Sequence, residues 1–284
     1  MDEDSFFRSA TVSIIGLGLM GGSLALALKG ICGQLYGYDL DDSVLQQASK
    51  TGIFHLLTDD RKQVVENVDC IILAAPVSAI IEWLDVLPTL CHHKVILLDF
   101  GSTKKLITQS MNRLPVNFEA IGGHPMCGKE KSGFQFADGN LFEGATFALV
   151  KTQNTTHRSI LVIDELVRML RCKPLWIDAD THDRWTAYSS HFPYIAANQI
   201  AAIIPPEASP LVSSGFRSTT RLASSSRRMM IDIILSNREN VLSVLKEYMR
   251  QLAAIENALE QNNCEELENI LNRGYSRHQK IILS

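Results

Sequence analysis

The feature that most constrains this chain lies near its start. Ala10-Thr11-Val12-Ser13-Ile14-Ile15 is an apolar run that reads as a buried strand, and it leads directly into Gly16-Leu17-Gly18-Leu19-Met20-Gly21. A helical stretch follows at 23–29, then a second strand at 34–38 that ends at Asp39. Strand, glycine turn, helix, strand and terminal acid at this spacing specify a βαβ unit of the kind that cradles a dinucleotide. Gly16 permits the tight turn, Gly18 the close approach of a pyrophosphate, and Gly21 the packing of helix on strand. The helix N-terminus offers N–H groups and partial positive charge to phosphates. Asp39 is placed to accept hydrogen bonds from a ribose diol. Glycine turns alone also serve plain packing; the surrounding elements make this one specific.

The same alternation continues. Helical stretches are predicted at 43–50, 60–67, 78–87, 104–114 and 158–170, and strands at 70–74, 95–98, 118–121, 146–150 and 174–177. Continuous apolar strands between amphipathic helices imply a mostly parallel sheet covered on both faces. Beyond about 179 the strand signals fade and helical periods take over at 184–204, 229–261 and 265–282. The expected architecture is therefore α/β: a Rossmann-type parallel-sheet domain over 1–178, then an all-helical domain over 179–284. Long apolar faces in so small a helical domain need a partner, which predicts a homodimer.

Composition removes other classes. A formal net charge of −4 gives no electrostatic case for nucleic acid or an anionic membrane, and no apolar stretch approaches a membrane span. The six cysteines are scattered, with no metal-ligand spacing. They read as reduced thiols in a cytoplasmic protein, and the acidic Met1-Asp2-Glu3-Asp4 is a poor signal peptide. No metal is expected.

In an open parallel sheet, ligands bind beyond the carboxyl ends of the strands. Those ends carry the glycine loop, Asp39, the small and donor-poor Ala75-Pro76, then Gly101-Ser102 and Gly122-Gly123-His124. A hydroxyl and an imidazole thus converge where a nicotinamide would lie, an arrangement suited to proton abstraction from an alcohol. Ser102 could equally cap the following helix, and the two roles are compatible. His124 could be a structural histidine; the glycines before it and Pro125 after it favour a ligand-close position. His191, inside an apolar helix, reads on its own as a satisfied core residue. Arg217 and Arg221, beside Gly215, could match carboxylates or lie solvated on a surface loop.

Together these residues carry a recognisable pattern. GLGLMGGS at 16–23, DFGSTK at 99–104, GGHPMCGKEKSG at 122–133, NLFEG at 140–144, HD at 182–183, SHFPY at 190–194 and SGFRSTTR at 214–221 resemble the prephenate and arogenate dehydrogenases of tyrosine biosynthesis, nearly end to end. The resemblance implies NAD-dependent oxidative decarboxylation of prephenate or arogenate, with the active site between the two domains. It implies that His124 takes the proton of the ring hydroxyl, that Ser102 holds that hydroxyl near the nicotinamide, and that His191 supports the substrate. Arg221 would bind a substrate carboxylate, with Arg217 nearby, and Glu130 would look over the substrate entrance.

The chain also departs from the family. Tyr194 stands where many relatives have a second histidine, and Ser218 where an aspartate often pairs with the nearby arginine. Arg227-Arg228 replaces a proline-containing stretch, and Met230 a tryptophan of some members. These touch the choice between prephenate and arogenate. The rival readings are a β-hydroxyacid-type dehydrogenase and a non-catalytic NAD-binding regulator. The first looks to a lysine on the first long helix, which 184–204 lacks; the second needs neither Ser102 nor His124. Asp39, followed by Leu40-Asp41-Asp42, favours NAD over its 2′-phosphorylated form. A histidine base titrating near its ordinary value would give an acidic limb at about pH 6–7.

Overall fold

The computed structural model describes residues 5–129 and 131–282. Among these, β1 (Thr11–Ile15), β2 (Gln34–Tyr38), β3 (Leu56–Thr58), β4 (Cys70–Leu73), β5 (Val95–Asp99), β6 (Phe118–Pro125), β7 (Thr146–Lys151) and β8 (Lys173–Trp176) form one sheet. Its order is β3-β2-β1-β4-β5-β6-β7-β8. Helix α1 (Phe6–Ser9) precedes the sheet, and the helices between the strands are α2 (Leu19–Ala27), α3 (Asp42–Ser49), α4 (Arg61–Val65), α5 (Val77–Leu90), α6 (Lys105–Met111) and α7 (His157–Met169). Every residue of β4 and β5 is buried, and their side chains alternate between two hydrophobic clusters, Ile72 and Leu98 in one, Ile71 and Leu97 in the other. That is the alternation of a sheet covered on both faces.

The sheet is parallel except where β6 meets β7. The sequence placed the end of β6 at Ile121, but the strand continues through Gly122, Gly123 and His124, which pair with Val150, Leu149 and Ala148. Glycine is required here by crowding rather than by a turn: a Cβ on Gly123 would lie 2.6 Å from the Asp99 carbonyl oxygen. The short strand β3 was not anticipated.

After β8 the described residues are helical: α8 (Ala179–Thr186), a π turn at Ala187–His191, α9 (Phe192–Ile203), α10 (Ser214–Thr220) and α11 (Arg227–Ser236). The continuous helix expected at 184–204 is thus divided by the π turn, and α10 with a 3₁₀ turn at Arg221–Ser224 replaces an expected loop. Contacts divide the chain into two compact units, Met1–Asn237 and Arg238–Ser284. The second contains α12 (Arg238–Glu260) and α13 (Cys264–Ile282), which pack on each other across a turn at Asn262. Met249, Leu252, Leu271 and Tyr275 of this unit are exposed. The helix expected at 229–261 is interrupted at Asn237, whose backbone leaves the helical region with φ −118° and ψ 29°. No helix among the described residues is long and apolar enough to cross a membrane.

Candidate active site

The sheet order reverses between β1 and β4, and at that switch point the glycine loop meets the chain leaving β4. Gly16 adopts φ +92°, and a Cβ there would lie 2.6 Å from the Ala74 carbonyl oxygen. A Cβ on Gly21 would lie 1.9 Å from the Gly16 carbonyl oxygen, so helix and turn can only approach this closely with glycine. Gly18 is different: a Cβ there meets nothing within 4 Å, so its backbone faces open space. Asp39 braces the loop, with one carboxylate oxygen accepting from the Leu17 N–H at 2.8 Å and the other from the Asp41 N–H at 3.0 Å. A cavity of about 340 Å³ opens in front, lined by Gly18, Leu19, Met20, Ala75 and Pro76. An open glycine, an uncapped helix start at Leu19 and a carboxylate at the end of β2 fit the phosphates and ribose of a dinucleotide.

Ser102 and His124 line the same cavity. The Ser102 side chain does not cap α6: its cap residue is Lys104, and the Asp183 carboxylate accepts from the Lys104 and Lys105 N–H groups at 2.7 and 2.9 Å. An acid from α8 thus closes the helix and leaves the Ser102 hydroxyl at the cavity wall.

His124 ends a chain of three side chains. His182 Nδ1 lies 2.8 Å from an Asp183 carboxylate oxygen, and His124 Nδ1 lies 2.9 Å from His182 Nε2. The carboxylate can only accept, so in the neutral form of His182 the proton sits on Nδ1 and Nε2 accepts. His124 must then donate from Nδ1, which leaves Nε2 as the basic atom of a ring at the cavity wall. Burial, followed by the charges of His182, Lys104 and His191, holds the His124 pKa well below the ordinary histidine value. Its neutral, proton-accepting form is therefore the resting one.

Lys104 lies beneath this chain, fully buried, paired with the buried Asp99 and donating to the Gly123 carbonyl oxygen at 2.5 Å. Burial pushes the Asp99 pKa up and the Lys104 pKa down, and each partner's charge opposes the shift of the other. Asp99 also accepts from the Gly101 and Gly123 N–H groups at 2.8 and 3.0 Å, so one carboxylate ties together the strand ends that carry Ser102 and His124.

The remaining sequence-predicted residues are less closely gathered. His191 is buried in the π turn beside Asn237, and burial lowers its pKa to about 4 against the opposing charge of Asp183. Arg217 and Arg221 lie exposed on α10 and the turn after it, outside the wall of the cavity. Glu130 lies outside the described residues. Lys104, His182, Asp183 and Asn237 were not singled out from the sequence as site residues. The adjacent His182-Asp183 pair and the polar end of DFGSTK were the visible signals; Asn237 gave none.

The family model for the prephenate dehydrogenase nucleotide-binding domain matches residues 24–174, and that for the prephenate dehydrogenase dimerization domain matches 178–273. The chain is 32% identical over 270 residues to prephenate dehydrogenase of Bacillus subtilis (strain 168), covering 90% of this chain and 72% of that protein. It is 27% identical over 257 residues to cyclohexadienyl dehydrogenase of Zymomonas mobilis, covering 87% and 88%. Among solved structures it is similar to prephenate dehydrogenase from Aquifex aeolicus in complex with hydroxyphenyl propionate and NAD⁺ (TM-score 0.85, 28% identity, covering 96% and 98%). It is also similar to Synechocystis arogenate dehydrogenase (TM-score 0.79, 25% identity, covering 95% and 99%).

Proposed function

The chain belongs to the prephenate dehydrogenase family, and from that premise we propose that it carries out the NAD-dependent oxidative decarboxylation of prephenate to 4-hydroxyphenylpyruvate, or of arogenate to tyrosine, in tyrosine biosynthesis. The observation that carries the reading is the Asp183–His182–His124 chain ending at a cavity whose other wall is the glycine loop. The loop 16–21, Asp39, Ala75 and Pro76 would hold the dinucleotide, and bound NAD⁺ would supply the acceptor for the hydride of the carbinol carbon. His124 Nε2 takes the hydroxyl proton as the carbonyl forms, and Ser102 holds the hydroxyl in line. Asp183 orients His182, and His182 orients His124. The ring carboxylate then leaves as carbon dioxide. Its bonding electrons pass through the ring to the carbonyl oxygen, the ring becomes aromatic, and the phenolate so formed takes up a proton, which the protonated His124 can return.

Arg221 anchors a substrate carboxylate, with Arg217 beside it, and His191 supports the substrate; for Glu130 the family resemblance alone suggests a part in substrate entry. We place the functional division at 1–178 and 179–284, since the sheet ends with β8 at Trp176. A homodimer through the helical part accords with the matched dimerization domain and the exposed apolar side chains of α12 and α13. A cytoplasmic location accords with six free thiols.

The test is incubation of the enzyme with NAD⁺ and prephenate or arogenate, followed by NADH absorbance. Turnover of at least one is expected, with NAD⁺ preferred over NADP⁺ by about tenfold or more. No NADH with either substrate would overturn the reading. Arg221→Ala should raise KM for the substrate about tenfold. A larger rise in Arg217→Ala would move the anchor to Arg217.

A further inference from the structure

Two nitrogens of the buried interior lock a third. The Asn237 side-chain nitrogen lies 2.6 Å from the backbone carbonyl oxygen of Asp183 and 3.1 Å from His191 Nδ1. A carbonyl can only accept, so the atom facing Asp183 must be the amide NH₂ and not the amide oxygen. An NH₂ group can only donate, so His191 Nδ1 must meet it with a lone pair. A neutral imidazole carries one N–H, and here it is left on Nε2. Asn237 and His191 are 4% and 1% exposed, so water does not relax this choice. His191 Nε2 is itself buried and has no hydrogen-bond partner among the described residues. A buried donor left unsatisfied costs stability, and such a group in a native site calls for an explanation.

We propose that Asn237 is a positioning residue that fixes His191 as its Nε2–H tautomer, so that the enzyme holds a neutral imidazole donor in reserve for an acceptor oxygen of the substrate. The proposal rests on the reading that His191 supports the substrate. It adds what kind of support: a donated hydrogen bond from an uncharged group. It also separates the two histidines. His124 keeps its basic nitrogen at the cavity, whereas the His191 lone pair is spent on Asn237, so His191 cannot replace His124 as the base. The His191 pKa of about 4 agrees, because the ring stays neutral at neutral pH. The same amide group ties His191 to Asp183, the residue that orients the His182–His124 pair.

The tautomer is read directly by long-range ¹H–¹⁵N NMR of enzyme labelled at histidine nitrogen, with His191→Asn to assign the signal. The expected result is a proton on Nε2 in the unsubstituted enzyme; a proton on Nδ1 would overturn the proposal whatever the kinetics. Asn237→Asp presents an acceptor to Nδ1 and should move the proton there. It should raise the substrate KM about tenfold while the NAD⁺ Kd stays near its original value. Asn237→Ala removes the donor and should give a mixture of tautomers, which keeps the test usable if the acidic variant does not fold. A merely structural asparagine would lower Tm in both variants and leave the His191 tautomer unchanged; that result would overturn the proposal. An unchanged KM in His191→Asn would instead overturn the substrate contact beneath it, even with the tautomer as expected.

Discussion

An imidazole is a base only while it is neutral, so the neighbours of His124 decide the pH at which it works. Burial disfavours the imidazolium, and the charges of His182, Lys104 and His191 disfavour it further. The expectation of an acidic limb near pH 6–7, drawn from the ordinary histidine value, is corrected accordingly. As pH rises, kcat/KM should climb and level off well below pH 6.5, and a pH–rate profile of the free enzyme reads this. A limb at 6–7 would show that these neighbours do not act on the ring. His124→Asn should lower kcat by about 10²–10⁴ with little change in NAD⁺ affinity. His124 and Ser102 were legible in the sequence because each stands next to glycine at the end of a predicted strand. His182 and Asp183 were not, because their role depends on a partner 58 residues away from His182.

The glycine loop makes a claim about elements that two substitutions separate. Gly18 has φ −68°, outside the left-handed region that favours glycine, and its Cβ would point into open space. Gly18→Ala should therefore keep the Tm of the parent while raising the NAD⁺ Kd about tenfold or more, because the methyl occupies room the pyrophosphate needs. Gly21→Ala places a methyl 1.9 Å from the Gly16 carbonyl oxygen, so α2 must move off β1. It should destabilise the protein by about 1–3 kcal/mol, measured by denaturant unfolding, and lose NAD⁺ binding as well. Equal Tm losses in the two variants would mean that Gly18 is packed rather than open. Where elements were misjudged, side chains distant in sequence were responsible. Asp183, not Ser102, closes α6, and the break between α11 and α12 falls at Asn237, whose side chain reaches the Asp183 carbonyl.

At the scale of the whole molecule, buried neutral histidines make stability depend on pH. The folded pKa of His191, about 4, lies below its ordinary value of 6.5, so the unfolded chain takes up the proton first as pH falls. The stability is fully present above about pH 6.5 and is lost progressively as pH falls toward 4. His191 alone accounts for roughly 3 kcal/mol over that window, and His124 adds in the same direction. Denaturant unfolding at pH 7 and pH 4.5, at one fixed protein concentration because a dimer's stability depends on it, should show this loss reduced in His191→Asn. An equal loss in both proteins would mean that His191 is charged or exposed in the folded state.

The N-terminal half was readable because its order is local. A strand buried on both faces is an apolar run, a tight turn beneath a phosphate needs glycine, and both signals lie within a few neighbouring residues. So the chain alone determined the βαβ start, the parallel core of the sheet and the strand ends that carry Asp39, Ser102 and His124. Tertiary structure decided what touches those ends. The reversal at β7, the π turn that holds His191, the burial of Lys104 against Asp99 and the proton positions on His124, His182 and His191 depend on groups brought together across the chain. Periodicity records which face of an element is buried. It carries no record of which carboxylate or carbonyl stands on the other side, and in a dry interior that partner decides where each proton resides.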